Sequence, residues 1–455
     1  MALWVKKAFW NAFTVWHARD EARFPYRPLE EILAVQHRRV QTMVAHAYAT
    51  VPHYREVMDQ AGLRPENFRT ADDLAQLPLL TGEHVARAPE RFRSRLQADG
   101  DGVRINSTGT SGRAKYIHHD ASALFLALAH GHRQRAVLTR YVGRTFGYRE
   151  IIVARSTGVS SQLRNFYETY SWTPRSLDFA RDIVHLKGSL TDDIAQINAF
   201  QPDVIRGYGA YIGSIFRWAW EQGISLSRPK AIVYGAERMA DMDRLLIETE
   251  FGVPVLSTYQ AAEALRIAFQ CERREGFHLS LDDVAVRVVD KNGRTLAPGN
   301  AGDIVLSNLT NRATVLLNYK LGDVVTLSES RCSCGRSLPT IERIQGRSDD
   351  LIVLPGGQLH HPLVVMQNLQ AVPGVVQVQL IQEDLRRFLL RTVCASNTDW
   401  QQVSQQLDAA LRAMLGNDLS LVIERVVAIP PEPGGKIRAV ISHYRRPIAP
   451  QKIGT

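Results

Sequence analysis

The stretch Arg104–Asp120, "RINSTGTSGRAKYIHHD", places small hydroxyl residues and two glycines directly ahead of a lysine. In Ser107-Thr108-Gly109-Thr110-Ser111-Gly112-Arg113-Ala114-Lys115 the glycines let the backbone turn until successive N–H groups face an anion. The hydroxyls add neutral donors, and Lys115 supplies a mobile positive charge for outer phosphates. That chemistry suits a nucleoside triphosphate. The loop of kinases and GTPases needs Gly-Lys-Ser/Thr in direct succession, whereas here Arg113 and Ala114 separate Gly112 from Lys115, and Tyr116 follows. Spacing therefore excludes that class.

Beyond the loop, strand-like runs "EIIVA" (150–154), "AIVYGA" (231–236) and "PVLSTY" (254–259) alternate with helical stretches such as "DMDRLLIETEF" (241–251). This rhythm predicts a largely parallel sheet with crossover helices, an α/β fold. Residues 284–327 change character. "VAVRVVD", "DIVLSNL" and "VVTLS" are short, β-branched and separated by turns, which predicts an antiparallel β-subdomain. From residue 349 another unit is expected, with strands in "DLIVL", "VVQVQLIQ", "RRFLLRTV" and "LVIERVVAI" and helices in "PLVVMQNLQ" and "DWQQVSQQLDAALRAML". The expected organisation is a large N-terminal α/β domain with its β-subdomain over 1–348 and a small α+β domain over 349–455.

Ahead of the loop, residues 29–62 carry apolar positions at helical spacing and stop at Gly62. The first residues set Leu3, Trp4, Phe9, Trp10, Phe13 and Trp16 among lysines. Such a helix could lie at a membrane interface or against the protein's own body, and the second is the expectation.

Hydrophobic residues make up 45% and charged residues 22% of the 455, ordinary enough that disorder is not expected along most of the chain. The net charge of +9 is scattered, which suits anionic metabolites better than a nucleic-acid footprint. No apolar run approaches the ~20 residues of a spanning helix. Four cysteines argue against a disulfide-stapled secreted protein, so a cytoplasmic location is expected.

The nine-residue loop resembles the phosphate loop of the adenylate-forming superfamily (acyl-CoA synthetases, luciferase, peptide-synthetase adenylation domains). Further stretches resemble that superfamily's motifs in their usual order. "YGAE" (Tyr234–Glu237) resembles the turn that packs on adenine, bringing in Gly235, Ala236 and Glu237. "TYQAAE" (Thr258–Glu263) is similar to a Tyr-Gly-x-Thr-Glu motif, implying that Tyr259 stacks near adenine and Glu263 holds Mg2+. Gln260 and Ala262 depart from it, and the second departure removes a hydroxyl expected near the phosphates. "NYKLGD" (Asn318–Asp323) resembles a Tyr-x-x-Gly-Asp element in which Asp323 accepts the ribose hydroxyls, a task that suits a carboxylate's two acceptor oxygens. "GRSDD" (Gly346–Asp350) resembles a hinge, with Arg347 near ribose and Asp349 as pivot. "EPGGKIRAV" (Glu432–Val440) resembles the C-terminal loop whose lysine, here Lys436, reaches the carboxylate and α-phosphate. "HAYATVPHYRE", "DLAQLPLLT" and "CGRSLPTIERIQGRSDD" point to the phenylacetate-CoA ligase branch.

What the resemblance implies is ATP-dependent activation of a carboxylic acid, aryl or arylacetic in this branch, through an acyl-adenylate, with CoA as the usual acceptor. Thr110, Glu263 and Lys436 are the implied catalytic residues, and a homodimer is the commoner family arrangement. A carrier protein or an amine as acceptor, and a degenerate homologue that binds nucleotide without turnover, remain open alternatives.

Cys271 and His278 lie in "CERREGFH", and Cys332 and Cys334 in "RCSCGR". Three thiolates and an imidazole make a complete tetrahedral set for a structural Zn2+. The other reading is three unrelated thiols and a surface histidine. Some members of the ligase branch hold zinc with residues placed like these, which favours the first.

Overall fold

In the computed structural model the described residues are 2–98, 102–108, 114–154, 158–172, 180–185, 189–235, 239, 241–345, 352–355, 359–360, 362–395, 398–429 and 439–444. They fall into two compact units, the larger made of most of the residues up to Gln345 and the smaller chiefly of Ile352 to Tyr444.

Helix α1 (Leu3–Ala18) opens the larger unit, followed by α2 (Leu29–Thr50), α3 (Pro52–Gln60) and the short α4 (Gly82–Arg87). The helical span expected over 29–62 is split because Val51 is extended and Pro52 begins a new helix at the position where its missing N–H costs nothing. In α2 the residues Ile32, Gln36, Val40, Met43, Val44 and Ala47 form the buried stripe. Helix α1 packs on the protein itself. Trp10 stacks on Phe125 at 4.7 Å, and the Asn11 amide binds both the N–H and the C=O of Trp172, while Trp4 and Trp16 stay exposed.

Strands β1 (Val103–Thr108) and β2 (Ala114–His119) form a two-stranded sheet. Next come α5 (Ala121–His130), capped by the Asp120 carboxylate on the Ala123 N–H, and α6 (His132–Val142). Then β3 (Glu150–Ala154), α7 (Val159–Tyr170), β4 (Arg181–His185), α8 (Leu190–Phe200), β5 (Val204–Tyr208), α9 (Gly209–Glu221), β6 (Ala231–Gly235), α10 (Asp241–Glu250) and β7 (Val255–Tyr259) alternate. The remaining strands are β8 (Ala268–Phe269), β9 (Phe277–Leu279), β10 (Val284–Val289), β11 (Ala301–Asn308), β12 (Tyr319–Leu327) and β13 (Thr340–Gln345).

Eleven of these strands make one sheet in the order β10-β11-β12-β13-β9-β8-β7-β6-β5-β3-β4. From β7 to β4 the pairing is parallel, and β6 and β7 are apolar and buried almost throughout, as strands covered on both faces must be. The expected antiparallel segment is present, but it continues the parallel sheet through β8, which pairs antiparallel with β7. One sheet thus carries residues from both expected parts into a single site.

The smaller unit contains β14 (Ile352–Val353), β15 (Leu359–His360), α11 (Pro362–Gln370), β16 (Val375–Gln382), β17 (Arg387–Cys394), α12 (Trp400–Leu415), β18 (Ser420–Arg425) and β19 (Val440–Ser442). Its main sheet runs β18-β17-β16-β19. Val403, Leu407, Leu411 and Leu415 recur every fourth residue along α12 and bury one stripe with Leu380, Phe388 and Leu390. Asp399 caps that helix through the Gln401 and Gln402 N–H groups. Among the described residues no helix is long and apolar enough to cross a membrane.

Candidate active site

The parallel strands β5, β6 and β7 end side by side, with Tyr208 opposite Gly235 and Tyr234 opposite Ser257. The carboxyl edge of a parallel sheet is where backbone groups and loop side chains can converge on a ligand. Gly235 stands there because a Cβ would come within 2.7 Å of Thr258 Oγ1, the hydroxyl that donates to the Tyr234 carbonyl at 3.2 Å. Tyr211 is wall: it is fully buried and donates to Asp193 at 2.7 Å.

Lys115, carried by β2, reaches the segment after β7. Its Nζ donates to Glu263 Oε1 at 2.7 Å and to the Tyr319 hydroxyl at 2.7 Å, and that hydroxyl lies 3.1 Å from the same Oε1. All three side chains are buried. Burial by itself would raise the Glu263 carboxyl. The Lys115 charge and hydrogen bond, with the Tyr319 phenol, more than offset that and hold it below the usual carboxylate value. The cluster is fixed from behind, since Asn308 Nδ2 donates to the Glu263 carbonyl at 2.9 Å and His119 Nε2 to the Ala262 carbonyl at 2.7 Å. Gly82 leaves the room, because a Cβ there would sit 3.1 Å from Lys115 Nζ and 3.3 Å from the Tyr319 oxygen.

Tyr259 donates its hydroxyl to Asp323 Oδ2 at 2.6 Å. Asp323 follows Gly322, whose φ of 97° places it in the left-handed region that favours glycine. A phenol expected beside adenine and a carboxylate expected on the ribose, taken from separate motifs, are thus in direct contact.

Lys115, Gly235, Tyr259, Glu263 and Asp323 all belong to this edge of the larger unit. Ser107 and Thr108 end β1. Gly109, Thr110, Ser111, Gly112, Ala236, Glu237, Arg347, Asp349 and Lys436 lie outside the described residues. Sequence reasoning gave no role to Tyr319, although it is the tyrosine of the Tyr-x-x-Gly-Asp element. It also passed over Gly82, Asn308 and His119, whose partners are remote in the chain.

The four metal-ligand candidates do converge. Cys271 follows β8, His278 lies on β9, and Cys332 and Cys334 occupy the β12–β13 connection, with one donor atom from each within 4.8 Å of all the others. Cys271 and Cys332 sulfurs are 3.7 Å apart, close to the ~3.8 Å edge of a tetrahedron with Zn–S bonds of ~2.3 Å. Cys334 Sγ lies 3.3 Å from His278 Nε2, while His278 Nδ1 faces the Leu338 carbonyl at 3.2 Å, the outer contact that orients a metal-binding imidazole. Without a cation, burial pushes the Cys271 thiol up to about 12 and the His278 imidazole down to about 4. The donor set fits zinc.

A family model described as the CapK C-terminal domain matches residues 354–443. A phenylacetate-coenzyme A ligase of Thermus thermophilus is 28% identical over 364 residues, covering 77% of this chain and 77% of that protein. Protein CapK of Staphylococcus aureus is 23% identical over 431 residues, covering 92% of this chain and 91% of that protein. Among solved structures, a 2-hydroxyisobutyryl-CoA ligase in complex with 2-HIB-AMP and CoA shares the fold, with a TM-score of 0.61 at 18% identity over 92% of this chain and 91% of that one.

Proposed function

We propose, from the premise that this chain belongs to the adenylate-forming superfamily, has its fold and is an AMP-forming ligase of the acyl-CoA type, that it activates an aryl or arylacetic acid and passes the acyl group to CoA. The observation that carries this reading is the buried Lys115–Glu263–Tyr319 cluster together with the Tyr259–Asp323 contact, built around the end of β7 and the segment that follows it.

The chemistry has two steps. A carboxylate oxygen of the acid attacks the α-phosphorus of ATP, and the bond to the bridging oxygen breaks with loss of pyrophosphate. The thiol sulfur then attacks the acyl carbon, AMP leaves with the shared oxygen, and the thiol proton passes to solvent. The chain's own residues position groups and neutralise charge. In this reading Asp323 accepts the ribose hydroxyls, and Tyr234 with Gly235 walls the adenine. The loop from Ser107 to Lys115 holds the outer phosphates. Lys115 exchanges Glu263 for a phosphate oxygen, which frees the carboxylate. Glu263, ionised and oxygen-donating, suits Mg2+, whose charge would favour departure of pyrophosphate. Lys436 neutralises charge between carboxylate and α-phosphate, with Asp349 the pivot between the half-reactions.

Cys271, His278, Cys332 and Cys334 would hold one Zn2+. All four donors come from protein, so its role would be structural, tying the β12–β13 connection to the β8–β9 hairpin.

The test separates the half-reactions. Lys436→Ala is expected to depress acid-dependent ATP–pyrophosphate exchange at least about 100-fold, while thioester formation from pre-made acyl-adenylate stays within about threefold. Equal loss in both would overturn the assignment.

A further inference from the structure

Helix α1 is apolar on its inner and on its outer face. Its exposed residues are Leu3, Trp4, Ala8, Phe9, Ala12, Val15 and Trp16, and every one of them is apolar. Its polar residues, Lys6, Lys7, Asn11, Thr14 and His17, are all at least partly covered. A helix that served only to cover the protein's own body would turn polar residues outward.

The inner face is accounted for. Trp10 and Phe13 join Phe125, Phe166 and Tyr167 in one apolar cluster. The polar side chains between the two faces are engaged locally. Asn11 holds the Trp172 backbone, Thr14 Oγ1 donates to the Trp10 carbonyl at 2.8 Å, and Lys7 Nζ donates to the Glu168 carbonyl at 3.3 Å. The outer face is open instead: Trp4 is 66%, Phe9 54%, Val15 70% and Trp16 61% exposed, and Trp172, held beside α1 by Asn11, is 49% exposed. At ~200 Å2 for an aromatic residue, Trp4, Phe9 and Trp16 together leave on the order of 350 Å2 in water. Apolar surface gathered on that scale marks an interaction site.

Composition and charge say what the face meets. Tryptophan joins an apolar ring to a polar N–H and suits the boundary between lipid headgroups and acyl chains. From Leu3 to Arg19 the sequence carries no carboxylate. Lys6 and Lys7 are partly exposed on the same helix, and the Arg19 guanidinium stacks on the Trp16 ring at 3.6 Å. The acidic neighbours are already matched: Asp20 lies 3.8 Å from both Arg19 and Arg27, Glu168 lies 3.8 Å from Arg164, and Glu21 is buried on Arg133 at 2.6 Å. Two copies meeting through this face would bring like charges together, with no carboxylate on the helix to offset them. An anionic bilayer satisfies the rings and the cations at once, because basic stems lie along apolar surface while their heads reach phosphate.

We infer that the outer face of α1, with Trp172, docks the protein on a membrane surface of net negative charge. The helix lies in the headgroup plane, Trp4, Phe9, Val15 and Trp16 enter the acyl boundary, and Lys6, Lys7 and Arg19 face lipid phosphates. The inference is independent of the reaction proposed above, since none of these residues belongs to the candidate active site.

The test sediments the full chain with vesicles of phosphatidylcholine alone, and of phosphatidylcholine and phosphatidylglycerol in equal parts, at low and at physiological salt. Expected is a partition coefficient at least about tenfold higher for the anionic vesicles, falling as salt rises. Replacing Trp4 and Trp16 together by serine is expected to lower binding to the anionic vesicles at least about tenfold, with the urea unfolding midpoint unchanged. Val15→Asp, which sets a carboxylate in the middle of the face, is expected to give a comparable loss and decides the matter should the double variant not fold. A protein that stays in the supernatant with both kinds of vesicle overturns the inference. Equal partition into both kinds, or binding that survives the substitutions, overturns it as well. Light scattering without lipid tests the rival occupant: a wild-type dimer that Val15→Asp turns into a monomer assigns the face to a second copy and also overturns the inference.

Discussion

Replacing Lys115 by methionine keeps the side chain's length and removes its charge. Glu263 then stays buried, at 5% side-chain exposure, with the Tyr319 hydroxyl 3.1 Å from Oε1 and the cation that stood at 2.7 Å gone. Removing one partner of a buried pair typically costs about 3–5 kcal/mol, and the surviving phenol places the expectation at the lower end, about 3 kcal/mol at pH 7.5. The loss depends on pH with a definite sign. In the wild type the Glu263 pKa is lowered on folding, so its contribution is present above the unfolded carboxyl value and is lost only as pH falls through the folded one. In the variant burial acts uncompensated and the folded pKa rises above the unfolded value. The penalty then shrinks by up to about 1.4 kcal/mol for each pH unit below that raised pKa. Urea unfolding followed by tryptophan fluorescence at pH 7.5 and pH 5 measures both. Lys115→Met should lower the midpoint clearly at pH 7.5 and much less at pH 5, and adding Glu263→Gln should restore about half of the loss. Additive single effects, or a loss independent of pH, would refute the reasoning.

Two further perturbations probe other parts of the site. Cys332→Ser should take zinc content, measured by inductively coupled plasma mass spectrometry, from about one per chain to near zero and lower the unfolding midpoint; unchanged content would remove the metal assignment. Gly235→Ala forces a methyl to within 2.7 Å of the Thr258 hydroxyl, a crowding of about 1–3 kcal/mol, and should raise the KM for ATP at least about tenfold. Adding Thr258→Ala removes the crowding atom and should recover most of that loss, and a double variant no better than Gly235→Ala would show that the crowding is not the cause.

The parts of this architecture that were legible were those written locally. "EIIVA" and "VVQVQLIQ" coincide with β3 and β16, because short segments rich in β-branched residues and bounded by turns leave few alternatives. The split at Pro52 is local too, and a stricter reading of the proline would have found it. The bridge between parallel and antiparallel strands was not legible, because β8 and β9 are two and three residues long and carry no period. Nor could spacing announce that Lys115 meets Glu263, since no rule links positions 148 residues apart. Motif resemblance supplied each of them separately, and only the folded sheet pairs them.

Co-crystallisation with ATP and Mg2+ puts the convergence of these residues to the test. The account predicts density for adenine against Tyr234 and Gly235, ribose hydroxyls on Asp323, and Lys115 Nζ moved from Glu263 to a phosphate oxygen. A nucleotide bound away from Glu263 and Asp323, with the Lys115–Glu263 pair undisturbed, would contradict it.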